Sequence, residues 1–329
     1  MLLLILACAA KKPPEPTQPE GPKVGVVQGP WLTGSRVALA STGPRDLQGG
    51  WAGPSIVIAA WQQGDELWTS STMSAGRGWT PPLLIDRGLE TDEEGQARAA
   101  LGIAMGRPVA AYSSGGVPRI AERSGEGWEA RPVSEEARGE RVELAVLDGE
   151  PVVLWLDSAR GGVWILMNGV EEQVSDQSTM DCVRPALSVE GAARVAFRDA
   201  EGSVWHMRRS EEGWGVVETL PGRPVCDGPA FGGERLLQAE DGVLYAGGVE
   251  VLAVEEGWGI DAPRAAGGLL AWREQSGDRD RVVLGGQSLL TREGSVVLGD
   301  PVVVAGDLWL PFDGDAPVVA TFSQETLER

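Results

Sequence analysis

Four arginines open short runs of one form: Arg36-Val37-Ala38-Leu39, Arg98-Ala99-Ala100-Leu101, Arg141-Val142-Glu143-Leu144 and Arg184-Pro185-Ala186-Leu187. Asp181, Asp227, Asp261 and Asp300 stand just ahead of comparable apolar runs. A guanidinium offers a planar fork of N–H donors that matches a carboxylate, so such a ring of arginines could hold an acidic ligand. The aspartates could instead pair with the arginines around a solvated opening, or take up Ca2+, the one cofactor this set allows. Cys182 and Cys226 form a second pair, each three residues before a proline in Cys182-Val183-Arg184-Pro185 and Cys226-Asp227-Gly228-Pro229. Two thiols without further ligands make no zinc site, and no metal centre is expected. The one histidine, His206, falls inside an apolar run, where it cannot serve a Ser–His–Asp set. There is no Gly-rich phosphate loop.

The elements that must position these groups are short strands. Residues 184–220 contain four apolar runs, Pro185–Val189, Ala193–Phe197, Val204–Arg208 and Trp214–Leu220, separated by clusters of Gly, Asp, Glu and Ser. That is the pattern of a four-stranded antiparallel unit with hairpin turns. The same order recurs along the chain, beginning near Arg36, Arg98, Arg141, Pro229, Pro263 and Pro301. The last unit ends after three strands, and an isolated run, Lys23–Trp31, precedes the first. A ring of sheets must close or leave two open edges. The expected fold is therefore all-β: a seven-bladed β-propeller of four-stranded antiparallel blades closed by the N-terminal strand, with six or eight blades as alternatives. First strands line the axis of such a ring, so the Arg and Asp set should gather at one mouth of the channel.

Aromatic residues recur at fixed places: Trp61, Tyr112, Trp155, Phe197 and Trp272 end second strands, and Trp68, Trp164 and Trp205 sit in third strands. One large ring per unit is what packing between blades requires, so these read as core rather than as a glycan platform. The 28 Lys and Arg against 48 Asp and Glu give a net charge of −20, which repels nucleic-acid backbones and anionic lipid surfaces. Neither is an expected partner. With 46 Gly and 22 Pro, the chain has the turn content that many short strands need.

The N-terminal run Met1-Leu2-Leu3-Leu4-Ile5-Leu6-Ala7-Cys8 resembles a bacterial lipoprotein signal, with Ile5-Leu6-Ala7-Cys8 as the lipobox and no basic residue ahead of it. The resemblance implies that Cys8 is lipidated and becomes the first residue of an exported protein, held at the outer membrane on its periplasmic or surface face. Membrane contact would then be through the lipid alone. Residues 1–8 are the signal, 9–22 a Pro-rich linker and 23–329 the propeller domain. Export implies an oxidising compartment, in which Cys182 and Cys226 are expected to pair. The alternative is two unrelated small buried residues.

The turn Thr72-Met73-Ser74-Ala75-Gly76-Arg77-Gly78-Trp79 resembles a degenerate Asp box, the BNR repeat of sialidase-like propellers, with Ser74 at the place of Asp. Sialidases use an arginine cluster to hold an acidic sugar, which implies Arg36, Arg98, Arg141 and Arg184 as its counterpart here. The catalytic set of that family is missing: only Tyr112 and Tyr245 could be the nucleophile, and neither has an evident Glu partner. A lipid-anchored envelope module that binds or scaffolds through its loop face is therefore expected, rather than an enzyme. Its partner would be an envelope protein or a glycan. The alternative is a sialidase-like protein that acts on or binds acidic glycans.

Overall fold

The computed structural model describes residues 24–33, 35–41, 56–73, 78–89, 99–139, 141–180, 182–223, 228–266, 269–294, 296–304, 307–313 and 317–322. Cys8, the linker, Ser74, Arg98, Asp181, Cys226 and Asp227 lie outside them. Seven antiparallel sheets form a β-propeller, and within six of them the strands follow chain order from the axis outward. The blade-four strands are Ala186–Ser188, Arg194–Arg198, Val204–Ser210 and Gly213–Leu220. Blade seven carries an additional short strand, Val297–Leu298, beside its second strand.

Local sequence sets the hairpins. Asp148-Gly149 joins the first two strands of blade three, with φ of 52° and 87°. Asn168-Gly169 joins the last two, with φ of 53° and 73°. Two successive left-handed residues make the turn whose twist suits antiparallel strands, and Asn, Asp and Gly reach that region at low cost. The register slips by one residue between third and fourth strands in blades one, three, four, five and six. Such bulges add twist to the outer edge and make each sheet a wedge. Apolar clusters fill the gaps between wedges; one between blades three and four joins Leu154, Ile165, Val195 and Phe197.

Closure comes from the N-terminus. Val24–Val27 is the outermost strand of blade seven, paired with Pro317–Phe322 in the register Val24↔Phe322 to Val27↔Val319. The strand is shorter than the expected Lys23–Trp31, because Pro30–Thr33 turns into a 3-10 helix. That turn drives Trp31 into the core beside Val37, Trp61, Val304 and Trp309, between blades seven and one. Trp31 is fully buried, and the ring of Trp79 meets it edge-on at 4.9 Å and 84°. Trp79 is thus not in a strand; the fourth strand of blade one is Leu83–Arg87. A Cβ on Gly29 would stand 2.2 Å from the Trp31 ring, so only glycine lets the chain fold back there.

Trp31 therefore holds the closing strand against two blades. Trp31→Ala is expected to cost about 3–5 kcal/mol of stability, seen as one cooperative melting transition at lower temperature. A loss below about 1 kcal/mol, or a separate early transition, would mean that the N-terminal strand is an accessory.

Candidate functional site

The seven inner strands start at one face, where loops from the fourth strand of one blade reach the first strand of the next. Aligned by register, they place Arg36, Arg141, Arg184, Gly228, Ala262 and Asp300 in an outer tier; Arg98 lies outside the described residues. Two residues further in come Ala38, Ala100, Glu143, Ala186, Ala230, Arg264 and Val302. Four blades put Ala in the inner tier, which leaves an axial cavity of about 260 Å3 lined by all seven inner strands or the residues leading into them. Glu143 and Arg264 replace Ala and Val there, so their side chains occupy space that the other blades leave open.

Four charged groups meet in this cavity. Arg184 of blade four pairs through Nε with Glu143 of blade three, and through Nη1 with Asp300 of blade seven at 3.1 Å. The other oxygen of Asp300 lies 3.0 Å from Nε of Arg264, from blade six. The two guanidinium side chains are 4% and 8% exposed, whereas that of Asp300 is 51% exposed and faces the mouth. Burial pushes the Glu143 carboxyl up to about 7; Arg184 opposes the rise, Asp300 adds to it and Arg264 opposes it. Burial works against the Arg184 charge too, yet Asp300 and Glu143 outweigh it and hold its pKa above the ordinary range. Nη2 of Arg184 is buried without a hydrogen-bond acceptor among the described residues. A buried unmet donor costs about 1–3 kcal/mol, so this atom favours any acceptor that enters the cavity.

Of the expected ring, Arg184 and Asp300 are brought together here, while Glu143 and Arg264 were not anticipated. A bulge positions Arg264: the register slips between Asp261 and Arg264, and Ala262 takes φ 47°. The slip re-aims the side chains that follow it. Asp261 lies outside the cavity lining and binds both Nε and Nη2 of Arg273 within blade six. Arg36 also stands apart: its backbone is left-handed at φ 55°, its amide donates to Asp313, and its Nη1 donates to Gln62 at 3.1 Å. Arg141 is buried, 4% exposed, just ahead of the Glu143 strand. Cys182 lies on the loop before Ala186–Ser188.

The remaining reactive groups have structural partners. Tyr112 is buried and its hydroxyl donates to Asp86 at 2.8 Å. Burial, with Asp86 beside it, raises its pKa far above that of a free phenol, the opposite of what a nucleophile needs. Nδ1 of His206 stands 3.1 Å from Glu218. Among the described residues no cluster of three or more His, Cys, Asp or Glu could hold a metal ion. Acidic residues at or near the ends of second strands accept indole N–H groups instead. Trp155 donates to Asp157 at 3.1 Å, Trp205 to Asp199 at 2.7 Å and Trp272 to Glu274 at 2.7 Å.

The Glu143 carboxyl gives the site a pH signature. Its folded pKa of about 7 lies above the ordinary 4.5. Between these values the folded chain holds a proton that the unfolded chain has released. Its stabilising contribution is complete below pH about 4.5 and is lost as pH rises through 7. Denaturation midpoints of the parent should therefore fall across that window, and Glu143→Gln should flatten the fall. Parallel pH profiles for the two proteins would contradict the assignment.

No protein-family model matches the chain, and no curated protein is similar to it in sequence. Solved structures are similar in fold. YCF48 from Cyanidioschyzon merolae superposes with a TM-score of 0.57 at 13% identity, covering 92% of this chain and 99% of that one. A prolyl endopeptidase structure gives 0.55 at 12% identity, covering 90% of this chain and 49% of that one, so the propeller corresponds to about half of that enzyme. At such identities the likeness is one of fold alone.

Proposed function

We propose that the protein is a binding module of a bacterial cell envelope, held there by a lipid on Cys8, whose contact surface is the loop face with the axial cavity at its centre. The observation that carries this reading is the buried set Glu143, Arg184 and Arg264 with the half-exposed Asp300, drawn from four blades around a cavity of about 260 Å3. Ion pairs this buried are poor stabilisers in themselves, because desolvation offsets most of their attraction. Placing them beside open volume fits recognition of a ligand better than it fits stabilisation of the ring.

The ligand is a small acidic molecule, or the end of a glycan or peptide that bears a carboxylate. The mobile partner in the exchange is Asp300, the most exposed of the four. A ligand carboxylate that takes its place would meet Arg264 and Arg184, including the unmet Nη2. Catalysis on glycans has less support, because the one buried tyrosine near the loop face is held in its protonated form. A covalent link between Cys182 and Cys226 belongs to the same reading. A Cβ on Gly228 would lie 2.4 Å from the Arg184 carbonyl oxygen, so the two backbones touch two residues beyond each cysteine.

Calorimetry with acidic and neutral monosaccharides tests the site. The acidic sugar should bind, the neutral one should not, and Arg264→Gln should weaken binding at least tenfold, about 1.4 kcal/mol. Equal binding by the variant, or no binding of any acidic sugar, would remove the carboxylate reading and leave a protein-binding face. For the anchor, Cys8→Ala should move the protein from membranes to the soluble fraction. A non-reducing peptide map should link Cys182 to Cys226; two free thiols would end that part of the proposal.

A further inference from the structure

On the opposite face of the ring, at the end where inner strands turn into second strands, the wedge between blades five and six is only partly filled, and it opens towards blade four. The inner strand of blade five, Ala230–Gly232, is only three residues long. Gly232, Ala246, Ala265 and Ala266 stand where the wedge should be packed, and a cleft of about 730 Å3 opens there. Its volume lies within the range of small-molecule sites, and its walls are mainly apolar, from Leu187, Phe231, Leu237 and Leu270. The cleft reaches Val251 on the outermost strand of blade five, which is 52% exposed, so the apolar path is elongated rather than round.

Two charged side chains mark the rim, Glu190 from blade four and Arg235 from blade five. Both are exposed, and neither side chain has a charged or hydrogen-bonded partner among the described residues. The neighbouring Glu234 is already taken, by Nη2 of Arg194 at 3.1 Å. An anionic head at this rim would satisfy Arg235 but face Glu190, and a cationic head would do the reverse. A head that carries both charges satisfies both. We propose that this cleft binds a single-chain amphiphile with a zwitterionic head, its chain between blades five and six and its two charges at Arg235 and Glu190. The cleft adjoins the axial cavity, sharing Leu187, Phe231 and Ala265 with it, but its charged rim of Glu190 and Arg235 belongs to the cleft alone.

Isothermal calorimetry on the full chain, with single-chain probes below their micelle-forming concentrations, tests it. Dodecylphosphocholine should bind at least fivefold more tightly than dodecyl sulfate, dodecyltrimethylammonium or dodecyl maltoside. Arg235→Gln and Glu190→Gln, both at exposed positions, should each bring it down to the level of the neutral maltoside. Ala266→Phe, which fills the wedge, should abolish binding with the melting temperature kept; if that variant fails to fold, Ala246→Phe serves the same purpose. Equal affinity for all four probes, preference for a singly charged head, unchanged binding by the filled variant, or no binding at all would each overturn the proposal.

Discussion

The ring closes through one short antiparallel pair, Val24–Val27 on Pro317–Phe322, and the rest of the structure depends on that contact. A twisted sheet on its own leaves one apolar face and one edge exposed, so each blade is stable only between two neighbours. Blades seven and one become neighbours through the hydrophobic cluster around Trp31, which sits next in sequence to the closing strand. The first and last described strands are thus paired with each other, residues nearly 300 apart in the chain. The inner strands face one another across a common axis only because that pair closes the ring.

A closed axis then creates a problem that the sequence turns to use. Inner strands converge, and side chains as small as alanine keep the channel open in four blades. Where Glu143 and Arg264 enter the channel, charges come within reach of Arg184 and Asp300 from other blades. In this confined volume Glu143 is driven towards its neutral form, while Arg184 keeps its charge because two carboxylates approach it. The outcome is an arrangement of two arginines and two carboxyl groups in which the buried Glu143 is held well above the usual carboxylate range, to about 7. Tight packing elsewhere, as around Leu154 and Val195, holds these groups in place at the axis.

Much of this architecture is written in the spacing of apolar runs, because a strand of period two, cut by Gly and Asp, leaves a clear trace. In blade four no strand end moves by more than two residues between expectation and structure. The site is harder to read, since which side chain faces the channel depends on register. The form Arg-x-Ala/Glu-Leu already contained Glu143, and its signal was that one Glu stands in a column of Ala. Arg264 had no such signal, because the bulge at Ala262 shifts the alternation ahead of it. Arg36 and Asp261 fit the sequence pattern but are diverted by partners, Gln62 and Arg273, that only the fold brings near. The carboxylates that hold indole groups, Asp157, Asp199 and Glu274, lie at or near the ends of the second strands of blades three, four and six rather than in the third hairpin, where an Asp box belongs.

Amide hydrogen exchange, read by mass spectrometry across blade seven, addresses closure most directly. If the N-terminal strand closes the ring, amides in Val24–Val27 will exchange as slowly as those of Pro317–Phe322, because both open only when the whole propeller opens. Exchange of Val24–Val27 within seconds, while Pro317–Phe322 stays protected, would contradict the closed ring and the axial site built on it.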